Sequence, residues 1–261
     1  MPDIKKEKLT IIKVSGKIVE RPETLKVFVK EFASIPGRKI LIHSGANLAS
    51  KIGNRMSINT KTVDGRPVVD DNTLNLLIMV YAGLVNKQFV ALLQGRKVNA
   101  LGVTGADLNL MQSVRQGLNG VDMGWTGAVK QVNTQELSSL LDKKVVPVMA
   151  PITHDGNCNL LYNETDAMAA EMAKALALRY EVTLIYCFEK NGVLLNVDDP
   201  DSVVPVLKRT QYKTLREMEI IKDWFVNKLD NAFSAIDHGV KEVVITNATN
   251  LTHRDRGTHI K

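Results

Sequence analysis

"RKILIHSGANLAS", residues 38–50, passes from a basic turn through an apolar strand to Ser44, Gly45 and Ala46, and then into a helical pattern. Two readings of the three small residues are open from this stretch alone. One is a tight turn, because glycine tolerates positive φ and small side chains let a strand and the next helix pack closely. The other is an anion site, because the first N–H groups of a helix are unpaired and point outward.

The strand–turn–helix unit recurs along the chain. Apolar strand-like runs lie at 9–14, 39–44, 99–105, 145–151, 182–188 and 242–248, and helical spacing of apolar residues covers 22–35, 71–95, 164–180 and 229–239. Such alternation predicts a mainly parallel sheet covered on both faces, a three-layer α/β/α sandwich. "SINTKTVDGRPVV" and "GWTGAVKQVN" interrupt it as β-rich pieces beside Gly or Pro, expected to form hairpins beyond the main sheet. A division into residues 1–180 and 181–261 is expected, with no Pro/Ser-rich linker between the lobes. In sheets of this kind ligands sit beyond the carboxyl ends of the strands, which here means the loops after Val14, His43 and Phe188.

Composition narrows the function classes. The chain has 261 residues, 44% hydrophobic and 24% charged, and no uninterrupted apolar run of the roughly 18 residues that suggests a membrane span. "MPDIKKEKLTIIKV" lacks a secretory pattern, so cytoplasmic residence is expected. The net charge of +6 is scattered rather than interleaved with aromatics, which favours a small anion over nucleic acid. Cys158 and Cys187 have no metal-ligand spacing, the five His residues form no ligand motif, and no protein metal site is expected.

Three charged residues stand where chemistry is possible. Lys13 closes the first strand at "KVSGK", where an ammonium and backbone donors from Ser15 and Gly16 can meet a phosphate, although a Walker A loop is absent. A surface lysine beside a turn would read the same way. Asp166 falls in the first turn of a helix, where the dipole alone would favour an acid. Lys228 precedes an amphipathic run, and a lysine at a helix start asks for a compensating anion.

In order and spacing, "IIKVSGKIVE", "ILIHSGA", "DGRPVVDDNTLNLLIMVYAGLVNK", "NALGVTGADLNL", "VVPVMAPITHDGN", "YNETDAMAAEMAKAL", "LIYCFEKNGVL", "NKLDNAFSAIDHGVKEVVIT" and "GTHIK" resemble the amino acid kinase family, in its acetylglutamate kinase branch. The resemblance implies an N-terminal lobe for an N-acylglutamate and for dimerisation, and a C-terminal lobe for ATP with Mg2+. It implies transfer of the γ-phosphoryl group to a side-chain carboxylate of N-acetylglutamate, or a relative such as N-succinylglutamate, in arginine synthesis. Lys13 and Lys228 would stabilise the transferring group and Asp166 would organise both. Ser44, Gly45, Ala46, Arg66, Tyr162 and Asn163 would hold the acceptor, and Gly16, Phe188, Lys190 and Asp223 the nucleotide. The short segment before the first strand, set against arginine-sensitive hexameric members, implies a homodimer without strong arginine feedback.

The sequence departs from the family pattern at several of these places. Ser44 and Ala46 stand in an HGGG-type loop, and Pro67 takes the place of the usual substrate-binding arginine, with Arg66 one position early. The Asn-x-Asn-x-Asp motif reads Tyr162-Asn163-Glu164-Thr165-Asp166, and Trp224 replaces a glycine. These changes sustain an alternative: a weak or inactive homologue that keeps the fold for binding or regulation.

Overall fold

A computed structural model describes residues 6–261, with only the backbone described for Asp223 and Trp224. In chain order the elements are β1 (Lys8–Val14), α1 (Gly16–Glu20), α2 (Pro22–Ser34), β2 (Arg38–His43), α3 (Ala46–Arg55), β3 (Thr62–Val63) and β4 (Arg66–Pro67). A long helix follows, made of α4 (Asp71–Leu77), a π-helical segment (Ile78–Val85) and α5 (Asn86–Gln94). Then come β5 (Ala100–Val103), β6 (Met111–Arg115), β7 (Thr126–Val132), α6 (Thr134–Asp142), β8 (Val146–Met149), β9 (Ile152–His154), β10 (Leu160–Asn163) and α7 (Thr165–Ala177). The last part comprises β11 (Glu181–Phe188), β12 (Val206–Leu207), α8 (Arg209–Glu217), α9 (Asp223–Asp237), β13 (Glu242–Asn247) and β14 (Thr258–Ile260).

Eight strands form one sheet in the order β12-β14-β13-β11-β1-β2-β8-β5. The run from β13 to β5 is parallel throughout, and β14 joins β13 antiparallel. Side chains alternate across it, as the two-residue period of a strand requires. Leu9, Ile11, Ile40, Ile42, Leu184 and Tyr186 pack on one face with α7 and α9. Ile12, Val14, Leu41 and Ile185 pack on the other with α2 and the long helix. Both faces are therefore covered, giving the three-layer sandwich.

Several local readings are corrected. The "GWTGAVKQVN" piece is not a projecting hairpin: β7 joins β6, β9 and β10 in a small closed barrel. Helix α9 begins at residue 223, so Lys228 lies inside the helix and not ahead of it. Residues 71–94 form a helix long and apolar enough to cross a membrane by length and composition, although it holds no uninterrupted apolar run of that length. In the fold one side of it, with Leu74, Leu77, Tyr81, Val85, Phe89 and Leu93, is built into the core.

Two polar residues of β2 are built into the interior. His43, the last residue of β2, faces the second core. Burial pushes its pKa down to about 3, so the ring stays neutral. The Asn86 amide lies 3.2 Å from His43 Nε2 and donates to the Val148 carbonyl at 2.8 Å. At the opposite end of the same strand, Lys39 donates to the carbonyls of Phe32, Ala33 and Ile35 at 2.6–2.9 Å, closing the end of α2.

Candidate active site

Strand alternation directs Lys13. It follows Leu9 and Ile11 at two-residue steps, so it emerges on the α7/α9 face at the carboxyl end of β1. Asp166 is the second residue of α7, and Lys228 comes from α9. Lys13 Nζ and Lys228 Nζ each lie 2.7 Å from Asp166, on Oδ1 and Oδ2 respectively. The lysine side chains are 7% and 8% exposed and that of Asp166 is 20%, so the cluster is nearly closed off while the carboxylate keeps some access.

The electrostatics follow from this packing. Burial opposes ionisation of Asp166, but the two ammonium groups overcome it and hold the carboxyl far below the usual range. Burial lowers Lys228 to about 8, with Asp166 resisting the fall. Tyr186 braces the arrangement: its ring lies 5.0 Å from Lys228 Nζ, and its hydroxyl donates to the Asp166 carbonyl at 3.0 Å. Asp166 is therefore occupied by lysines rather than by capping its helix, and it is the anion that Lys228 requires.

Two loops meet beside this cluster. The N–H of Ser15 donates to the Cys187 carbonyl and that of Ser44 to the Val14 carbonyl, prolonging the ladder past the strand ends. Gly16 faces the second loop so closely that a Cβ on it would lie 3.4 Å from Ala46 N and 3.5 Å from Ser44 Oγ. Ser15 Oγ is buried without a hydrogen-bond partner among the described residues. A phosphate fits here, because α3 directs its unpaired first N–H groups into the loop and the hydroxyl lacks an acceptor.

Of the two opening readings, the close-packing part of the first accounts for Gly45, and its positive-φ part does not. Gly45 has φ of −162°, so no left-handed conformation demands glycine. A Cβ there would instead lie 2.7 Å from the Tyr81 ring, which the π-helical segment pushes against the loop. Ser44 and Ala46 are absent from the positive-φ residues, so their Cβ atoms impose no backbone strain.

A cavity of about 330 Å³ opens next to the lysine cluster. Arg66 and Pro67 of β4 both line it, so the one-residue offset of the arginine does not turn it away. Tyr162 also lines it and stacks on Tyr81 with ring centroids 6.0 Å apart. Glu164 reaches it and lies 3.8 Å from Arg66. Asn163 borders the cavity, but its amide is taken up inside the barrel, accepting from Ser113 Oγ at 3.0 Å and donating to Thr153 Oγ1 at 2.6 Å. Asn227, Asp230 and Asn231 of α9 form a further wall that the sequence reading missed. Their three- and four-residue spacing next to Lys228 was the available signal.

On the other side, an apolar cavity of about 50 Å³ is lined by Phe188, Lys190, Val193, Leu194, Ile221 and Phe225, among others. Phe188 and Phe225 stack at 5.4 Å. Lys190 donates to the Val197 carbonyl at 3.2 Å. The side chain of Asp223, expected toward the nucleotide, lies outside the described residues. No group of three or more His, Cys, Asp or Glu side chains able to hold a metal occurs among the described residues.

Two buried ammonium groups thus share one carboxylate at the carboxyl edge of a parallel sheet, and a cavity lined by Arg66 opens beside the helices that carry Asp166 and Lys228. The chain belongs to the amino acid kinase family, whose profile matches residues 8–247. It is 48% identical over 261 residues to an acetylglutamate kinase of Bacteroides fragilis, covering 100% of both chains. Among solved structures, N-acetylglutamate synthase from Neisseria gonorrhoeae superposes with a TM-score of 0.82 at 21% identity, covering 97% of this chain and 59% of that one. Carbamate kinase from Giardia lamblia superposes at 0.71 with 12% identity, covering 97% and 98%. These two share the fold. The chain is thus a kinase that transfers phosphate to a carboxyl group with ATP as co-substrate, and a non-catalytic homologue is not favoured.

Proposed function

We propose that this protein phosphorylates the side-chain carboxylate of N-acetylglutamate, making an acyl phosphate for arginine synthesis. The observation that carries the reading is Asp166 held between Lys13 and Lys228 at 2.7 Å each, beside the cavity that contains Arg66. The attacking group is already an anion, so no general base is required. A carboxylate oxygen attacks the γ-phosphorus of ATP, the bond to the β-γ bridging oxygen breaks, and ADP leaves with that electron pair. The difficulty is charge: at 4 Å and an effective dielectric near 20, each pair of like charges repels by about 4 kcal/mol. Lys13 and Lys228 offset this as charge builds on the transferring group, and the N–H groups of Gly45 and Ala46 add donors. Magnesium would be held chiefly by the nucleotide phosphates and would neutralise charge there.

The two cavities support a division of labour. The acceptor side draws mainly on residues before 180, with α9 closing one wall, and the apolar slot draws wholly on residues after 181. We assign the acceptor to the first and the adenine ring to the second. Pairing into a homodimer is supported by Met79 and Leu84, exposed on the long helix five residues apart and so about one π-turn from each other.

The test is ATP consumption with N-acetylglutamate and N-succinylglutamate in parallel, trapping the acyl phosphate with hydroxylamine. Product from N-acetylglutamate that is lost in Lys228→Ala supports the reading. Product from N-succinylglutamate alone would replace the acyl group, and none from either would overturn the reading.

A further inference from the structure

We infer that Glu164 reads the acyl amide of the acceptor: its carboxylate accepts the substrate's amide N–H while Arg66 takes the carboxylate on the same carbon. This rests on the N-acylglutamate reading above and assigns the residue that selects for the acyl group's attachment.

Glu164 occupies the N-cap of α7, where Ser, Thr, Asp and Asn are the usual residues, yet its side chain makes no capping hydrogen bond. It points instead into the acceptor cavity and lies 3.8 Å from Arg66, the two side chains being 41% and 32% exposed. A carboxylate beside the arginine that must receive an anion weakens that anion's binding, unless the ligand also brings a hydrogen-bond donor to it. An N-acyl-α-amino acid does so, because its carboxylate and amide N–H leave the same carbon. The cationic and anionic ends of the Arg66–Glu164 pair complement those two groups in order. Pro67, Val129 and the Tyr162 ring beside them supply apolar surface for the acyl chain.

Binding of N-acetylglutamate and of 2-acetoxyglutarate, the isostere whose ester oxygen replaces the amide N–H, is measured by calorimetry on the wild-type protein, Glu164→Ala and Glu164→Gln. A hydrogen bond to a charged acceptor predicts that the wild type binds the amide roughly tenfold or more tighter than the ester. In Glu164→Ala that ratio falls to about twofold or less, while Glu164→Gln, which keeps an acceptor oxygen, retains part of it. Thermal unfolding checks that both variants fold. An amide-to-ester ratio equal in wild type and Glu164→Ala overturns the inference, as does tighter wild-type binding of unacylated glutamate. Turnover is read separately. An amide preference without acyl phosphate formation overturns the proposed reaction and upholds the role of Glu164, and failure of the wild type to bind either compound overturns both.

Discussion

The two ends of the central sheet each bury lysine, to different effect. At its amino end Lys39 is surrounded by backbone carbonyls of α2, and at its carboxyl end Lys228 shares Asp166 with Lys13. Burial pushes both Lys39 and Lys228 down to about 8, so a displaced pKa does not separate them. Their partners do. Three carbonyls at the end of a helix are a terminus being closed, whereas a carboxylate shared by two ammonium groups beside a cavity is, on the proposed function, charge arranged for a ligand. A perturbed titratable group marks a site when its partners leave it directed at open space.

The largest effect that tests this contrast lies at the carboxyl end. Lys228→Ala or Asp166→Asn should lower kcat by about 10²- to 10³-fold, the range for removing a group that stabilises transition-state charge. Lys39→Ala should leave kcat within about twofold, and steady-state kinetics on the three variants would dissolve the contrast if Lys39→Ala were equally inactive. In denaturant unfolding the ranking reverses: Lys39→Ala leaves buried carbonyls unpaired and should cost about 2–4 kcal/mol.

Gly45→Ala comes next, with a cost of about 1–3 kcal/mol from the clash with Tyr81. Combination with Tyr81→Leu should recover part of the loss in melting temperature, and purely additive effects would show that the ring is not the obstacle.

A smaller effect follows from protonation. The Lys228 ammonium is present below its pKa of about 8 and lost above it, so kcat/KM for ATP should fall as pH rises through that value. The drop is roughly tenfold between about pH 7 and 9 if the ammonium is required. A flat profile over that range would remove Lys228 as the titrating group. Least of all, Arg38→Ala breaks only exposed pairs with Glu7 and Asp142 and should change unfolding free energy by less than about 1 kcal/mol.

Much of the fold was legible because its signals are local. Long apolar strands alternating with 3.6-residue periodicity mark the layers directly, and Lys13 could be assigned to the end of β1 from the run before it. The start of α9 was missed because its first six residues, 223–228, carry no clear apolar period of their own. The barrel was missed because its strands are as short as three or four residues and pair across the chain, β6 with β9 and β10 with β7. Glu164 read only as a departure from the family motif because its distance to Arg66 is invisible in sequence.

Taken alone, the sequence determined the alternation of strands and helices, the charged residues Lys13, Asp166 and Lys228, and the small residues after β2. Each is a matter of residue type and near-neighbour spacing. Only the tertiary structure decided that the three charges meet, that Gly45 is small because a tyrosine from a π-helical turn presses on it, and that Arg66 faces Glu164 across one cavity. Those are contacts between segments from 36 to 153 residues apart in the chain, and close packing of the two core layers, not local propensity, brings them together.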